Sequence, residues 1–209
     1  MPKLIRFSET HCESIIWEIT ESVSQLLEMV PLSEAELRCF ELFKSEQRQC
    51  QWLAYRCALM ELTDGIHHPV IYNSVGKPFI ENSDFHISVS HSGNFAMAIK
   101  SNKRCGVDIE HKSDKAHRVR AKFMSPSEMA FADTVDSELI SRFTWSAKEA
   151  MYKAMGVEGV IFAEEMGLSD FDFEKLTAKG RFCFEDETAD FQIHFYLHPE
   201  FVAARCWEI

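Results

Sequence analysis

Twice along this chain the hydrophobic period changes from helical to strand-like, and that double change limits the fold more than any other feature. The spacing predicts a helix from Glu46 to Leu62 that ends near Asp64-Gly65. Downstream, Phe85, Ile87 and Val89 alternate with His86, Ser88 and Ser90, which is a strand with one small polar face. Ser92-Gly93-Asn94 then turns the chain into an antiparallel partner, Phe95–Ile99, and a third strand covers Cys105–Ile109. The same order follows again. Ser125-Pro126-Ser127-Glu128 is a capping box with proline in the first helical position, and a helix from Ser137 to Met155 stops at Gly156. Strands are expected around Arg181–Phe184, Asp190–Leu197 and Phe201–Trp207. Helices followed by strands in both stretches make the class α+β. An earlier capping box, Ser33 to Glu36, opens a helix with Leu37, Phe40 and Phe43 at helical spacing. No sequence repeat relates the two stretches, although their order of elements is similar.

At 209 residues the chain can form one large domain or two small ones. A net charge of −11 argues against a general binder of nucleic acids or membrane surfaces, both of which are anionic. The seven cysteines are scattered, without a CxxC pair, and read as reduced thiols serving as small buried hydrophobes. Ile15, Ile16 and Trp17 are hemmed by Glu13 and Glu18, so they do not make the apolar run of a secretory leader. No stretch approaches a membrane span, and a cytoplasmic location is expected.

Two segments carry candidate chemistry. In Gly106-Val107-Asp108-Ile109-Glu110 the strand period puts Asp108 and Glu110 on one face, with Val107 and Ile109 toward the core. Two carboxylates so placed repel unless a cation or water separates them, and Mg²⁺ with phosphate oxygens is the natural hard partner. A solvated polar strand face is the plain alternative. In Trp145-Ser-Ala-Lys148-Glu149-Ala-Met-Tyr152-Lys153, the residues Trp145, Glu149 and Lys153 recur every fourth position and share a helix face. Glu149 suits a metal ligand or base and Lys153 an oxyanion partner. The pair also fits an ordinary helix ion pair, and Lys148 and Tyr152 fit surface positions.

Three blocks together resemble the 4′-phosphopantetheinyl transferases, specifically the larger, surfactin-synthetase-activating type with two pseudo-symmetric halves. They are Gly76-Lys77-Pro78, the run Ile87-Ser-Val-Ser-His91-Ser92 leading to Gly106-Val-Asp108-Ile-Glu110, and Trp145 through Lys153. They organise residues 45 to 156, whereas the first 40 residues and the tail after Gly156 match only in general character. The resemblance implies two half-domains, 1–104 and 105–209, each a helix on a small mainly antiparallel sheet, with the active site at their interface and a monomer sufficient. It implies transfer of 4′-phosphopantetheine from coenzyme A to a serine of an apo acyl or peptidyl carrier protein. Asp108, Glu110 and Glu149 would hold Mg²⁺, while Glu149 and Lys153 would be catalytic. Lys77 and His91 would touch coenzyme A phosphates. Arg48 and Arg56 match the family's basic helix more loosely, because the usual arginine cluster reads Arg48-Gln49-Cys50-Gln51 here. Glu128 stands where the family has an acidic residue, although its capping box already accounts for it.

Carrier proteins of this kind are usually acidic, so bulk attraction to a chain of this charge is excluded. The segment Lys112 to Lys122 sets five Lys and Arg residues against one aspartate and is a candidate docking strip. The alternatives are a Mg²⁺-dependent hydrolase or phosphotransferase of pyrophosphate compounds, and a non-catalytic protein that binds coenzyme A or a carrier.

Overall fold

A computed structural model describes residues 3–209. The chain divides into two compact units, Met1–Lys103 and Arg104–Ile209, and the class is α+β. Arg104 belongs to the second unit because its guanidinium is held there by Glu208, at 2.7 and 2.8 Å, and by Glu187.

The first unit opens with a hairpin, β1 (Lys3–Ser8) and β2 (Cys12–Glu18). The helices α1 (Val23–Met29), α2 (Glu34–Phe40) and α3 (Glu46–Leu62) follow. A short ribbon, β3 (Val70–Tyr72) and β4 (Pro78–Ile80), leads to the hairpin β5 (His86–Ser92) and β6 (Phe95–Ser101). The four long strands form one antiparallel sheet, β1-β2-β6-β5, and α3 packs on β6 and β2. Ile15, Ile16 and Trp17 are at most 1% exposed, so the apolar run in β2 is buried on both faces. Such a run lacks the alternation that marks a half-buried strand, which is why periodicity alone does not reveal it.

The second unit begins with β7 (Cys105–His111), then a short helix α4 (Lys115–Arg118) and a 3₁₀ turn, Arg120–Lys122. The helices α5 (Pro126–Val135), α6 (Ser137–Met155) and α7 (Phe162–Glu165) follow. Four strands close the chain: β8 (Met166–Asp172), β9 (Thr177–Phe184), β10 (Glu187–Leu197) and β11 (Phe201–Glu208). Their sheet runs β7-β11-β10-β9-β8, with α6 packed on β7 and β11. Although β7 follows β6 directly in sequence, it pairs with β11, the last strand of the chain.

The ends of α6 lie where the sequence puts them. Asp136 accepts from the Leu139 N–H at 3.0 Å, and Gly156 ends the helix at φ 64°, a left-handed conformation that glycine adopts without a Cβ clash. The segment from Lys112 to Lys122, the candidate docking strip, contains the two short helical pieces. Arg120 anchors them by bonding Asp133 at 2.6 Å and the Ser137 hydroxyl.

Candidate active site

The site is built where β7 meets α6. A Cβ on Gly106 would lie 1.8 Å from the Ala150 carbonyl oxygen, so only glycine lets the strand come this close to the helix backbone. Two residues along the strand, Asp108 is 5% exposed and accepts from the Lys153 ammonium at 2.7 Å. Glu110, half-buried, accepts from the Trp145 indole N–H at 2.9 Å. Glu149 lies between Trp145 and Lys153, one helical turn from each. Val107 and Ile109, on the other face, are at most 2% exposed.

The electrostatics show how crowded these carboxylates are. Burial first, and then the charges of Asp108 and Glu110, push Glu149 up to about 7, against the opposing pull of Lys153. Burial also raises Glu110, with Asp108 adding to it and the Trp145 hydrogen bond opposing it. Among the described residues no three His, Cys, Asp or Glu side chains converge as a ready-made metal cluster. Asp108 is turned to Lys153 and Glu110 to Trp145. The donor set nonetheless fits a hard dication: three oxygen-bearing acids share one electrostatic neighbourhood, and two are held above their ordinary range.

Lys148 corrects the surface reading of this helix. It is fully buried, and its ammonium donates to the Phe123 carbonyl at 2.8 Å, the Glu128 carboxylate at 2.7 Å and the Phe162 carbonyl at 3.0 Å. Glu128 closes its own capping box at the Ser125 N–H and accepts from the Leu168 N–H at 3.0 Å. This pair ties α5, α6 and β8 together and is structural. Helical spacing alone left Trp145 without a role, since only its indole donor shows which carboxylate it orients.

In the first unit, Arg48, in the opening turn of α3, contacts the ring of His91 near the end of β5. The guanidinium donates to the imidazole nitrogen, which joins the start of α3 to the end of β5. Lys77 sits in the β3–β4 turn, where its N–H and that of Val75 donate to the Asn73 side chain at 2.8 and 3.2 Å and Gly76 takes φ 77°. Arg56 departs from its sequence expectation as a phosphate contact. It is 1% exposed, lies 3.2 Å from the centre of the Trp52 ring, and donates to Glu36 at 3.0 Å and the Tyr55 hydroxyl at 2.6 Å. A guanidinium so enclosed has no surface to offer a phosphate.

Residues 104–206, the part of the chain that carries Asp108, Glu110, Glu149 and Lys153, match the family model of the 4′-phosphopantetheinyl transferase superfamily. The second unit belongs to that superfamily. It is also similar to the 4′-phosphopantetheinyl transferase gsp of Aneurinibacillus migulanus, with 32% identity over 87 residues. That stretch spans 40% of this chain and 36% of the relative's length. The matched residues do not include Arg48, Lys77 and His91.

Proposed function

We propose that this superfamily member transfers the 4′-phosphopantetheine group of coenzyme A to a serine of an apo acyl or peptidyl carrier protein, in a Mg²⁺-dependent reaction. The observation that carries the reading is Glu149, a half-buried carboxyl held at about 7 beside Asp108, Glu110 and Lys153. A group poised there accepts a proton near neutral pH and, once ionised, completes a three-carboxylate set.

Asp108, Glu110 and Glu149 are the residues proposed to hold the magnesium ion. When bound, that ion neutralises pyrophosphate charge, the main requirement of phosphoryl transfer. The acceptor serine oxygen attacks the β-phosphorus of coenzyme A, and the bond to adenosine 3′,5′-bisphosphate breaks. Glu149 takes the serine proton, while Lys153 stabilises charge on the departing phosphate. Trp145 holds Glu110 in place. Arg48 and His91, with Lys77, are the proposed contacts for coenzyme A phosphates. Lys112, Lys115 and Lys122 are the proposed docking cations for the acidic carrier, whereas Arg120 is occupied by Asp133. We take the enzyme to act as a cytoplasmic monomer. Among the described residues no helix is long and apolar enough to cross a membrane.

The deciding experiment combines the purified protein, Mg²⁺, coenzyme A and an apo carrier protein and weighs the carrier. A gain of one phosphopantetheine group is expected, and it should vanish with Asp108→Ala. Hydrolysis of coenzyme A with no mass gain across several carriers would instead indicate a pyrophosphate hydrolase.

A further inference from the structure

One turn before Trp145 on α6, a second buried cation is treated very differently from Lys148. Arg142 is 8% exposed, yet its Nε and Nη1 atoms have no hydrogen-bond partner among the described residues. The carboxylate of Glu138 stands 3.9 Å from Nη2, beyond hydrogen-bond reach, and is itself about half exposed. A guanidinium carries five donors and does not lose its proton, so leaving two of its nitrogens unpaired in the interior is unfavourable.

Arg142 forms part of the wall of a cavity of about 110 Å³ that Glu110, Lys115, Val119 and Trp145 also line. This is too small for a nucleotide, since ordinary ligand sites run from about 300 Å³ upward, but it suits one compact group. Two permanent cations, Arg142 and Lys115, face a single carboxylate, Glu110, one of whose oxygens accepts from Trp145. Val119 and the Trp145 ring supply apolar walls that strengthen any charge pairing inside.

We propose that this cavity binds a single compact oxyanion, a carboxylate or a phosphate, with Arg142 as its main donor and Lys115 as the second. Two sources share that chemistry: an acidic side chain of the protein acceptor, or free inorganic phosphate. The first rests on the transferase reading, whereas the anion site itself does not.

The arginine Nε–H signals of the ¹⁵N-labelled full-length protein give a direct test. Arg142 is identified by its disappearance in Arg142→Lys, and sodium phosphate is then titrated at constant ionic strength against sodium chloride. A saturable shift of the Arg142 signal is expected, while Arg56, bonded to Glu36, stays in place as the internal control. An apo acyl carrier protein replaces phosphate in the second arm. If it produces the shift and a version with neutralised acidic residues does not, the ligand is a carrier side chain. If phosphate alone produces it, the ligand is the free anion. No shift beyond the chloride control in either arm overturns the proposal. Thermal melting adds an independent reading. Phosphate should raise the wild-type midpoint by about 2 °C at matched ionic strength, and Arg142→Met should lose that gain. If the variant keeps the full gain, the site is elsewhere. Neither measurement uses transfer, so failure of the transferase reading would leave the phosphate result standing.

Discussion

Glu36 in the first unit and Glu128 in the second do the same work with different chemistry. Each is the third residue of a helix opened by a serine, and each closes a capping box. Each reaches a buried cation 20 residues further on, in the next long helix: Arg56 in α3 and Lys148 in α6. Each also accepts from a backbone N–H in a later strand, Val70 at 3.3 Å and Leu168 at 3.0 Å. Arg56 spreads its planar cation over Trp52, whereas Lys148 gathers three oxygen acceptors around a point charge. The two units therefore share a structural device that the plain sequence does not display as a repeat. They differ in what lies next to it. In the second unit the residue after Lys148 is Glu149, which belongs to an acidic cluster whose charges are not mutually satisfied. One helix thus carries a closed charge network beside an open one.

The comparison breaks most visibly in activity. Asp108→Asn should lower carrier modification by about 10³-fold with only a small change in thermal stability, because the relief of carboxylate repulsion offsets the weakened pair with Lys153. Arg56→Met should do the reverse, leaving the kcat of the folded fraction near wild type. Chemical unfolding then tests the shared device. Removing one partner of a buried pair strands the other, so Arg56→Met and Lys148→Met should each cost about 3–5 kcal/mol. Combining Lys148→Met with Glu128→Met should recover a large part of the loss. A single-variant cost below about 1 kcal/mol in either unit would end the equivalence. Gly106→Ala, which drives a methyl into the Ala150 carbonyl, should cost about 3 kcal/mol and reduce transfer by shifting β7 against α6.

The smallest effects are two pH slopes of opposite sign. Burial alone would raise Glu36, but the His67, Ser33 and Arg56 hydrogen bonds together hold it at about 2. Its stabilisation is present above the unfolded value of 4.5 and is lost as pH falls toward 2, about 3 kcal/mol in all. Glu149 is displaced upward, from 4.5 to about 7, so the protein without metal loses stability as pH rises through that window. Partial exposure reduces the effect to roughly 1–2 kcal/mol. Unfolding measured from pH 5 to 7.5 should show that decline, Glu149→Gln should flatten it, and stabilisation by Mg²⁺ should grow across the same range. A flat Mg²⁺ response with pH would sever Glu149 from the metal.

Much of the fold and half of the site's logic are legible in the amino-acid sequence. The limits of α3 and α6, both capping boxes and the left-handed stop at Gly156 follow from local chemistry, since a cap or a periodic face needs only neighbours in sequence. The doubly buried strand β2 and the short helices after β7 are not legible there, because neither has a periodic signature. The pairing of β7 with β11 depends on chain roughly a hundred residues away.

The sequence by itself therefore determined the α+β class, the main helices and the residue types of an acidic candidate site on one strand and one helix. Tertiary structure alone decided which charges those residues keep. It enclosed Arg56 and Lys148 in structural pairs, gave Glu110 an indole donor, left Arg142 without a partner for two of its nitrogens among the described residues, and raised Glu149 to about 7. The reason is physical: a charge's worth is set by burial and by partners from distant segments, and neither is written in the local pattern of the chain.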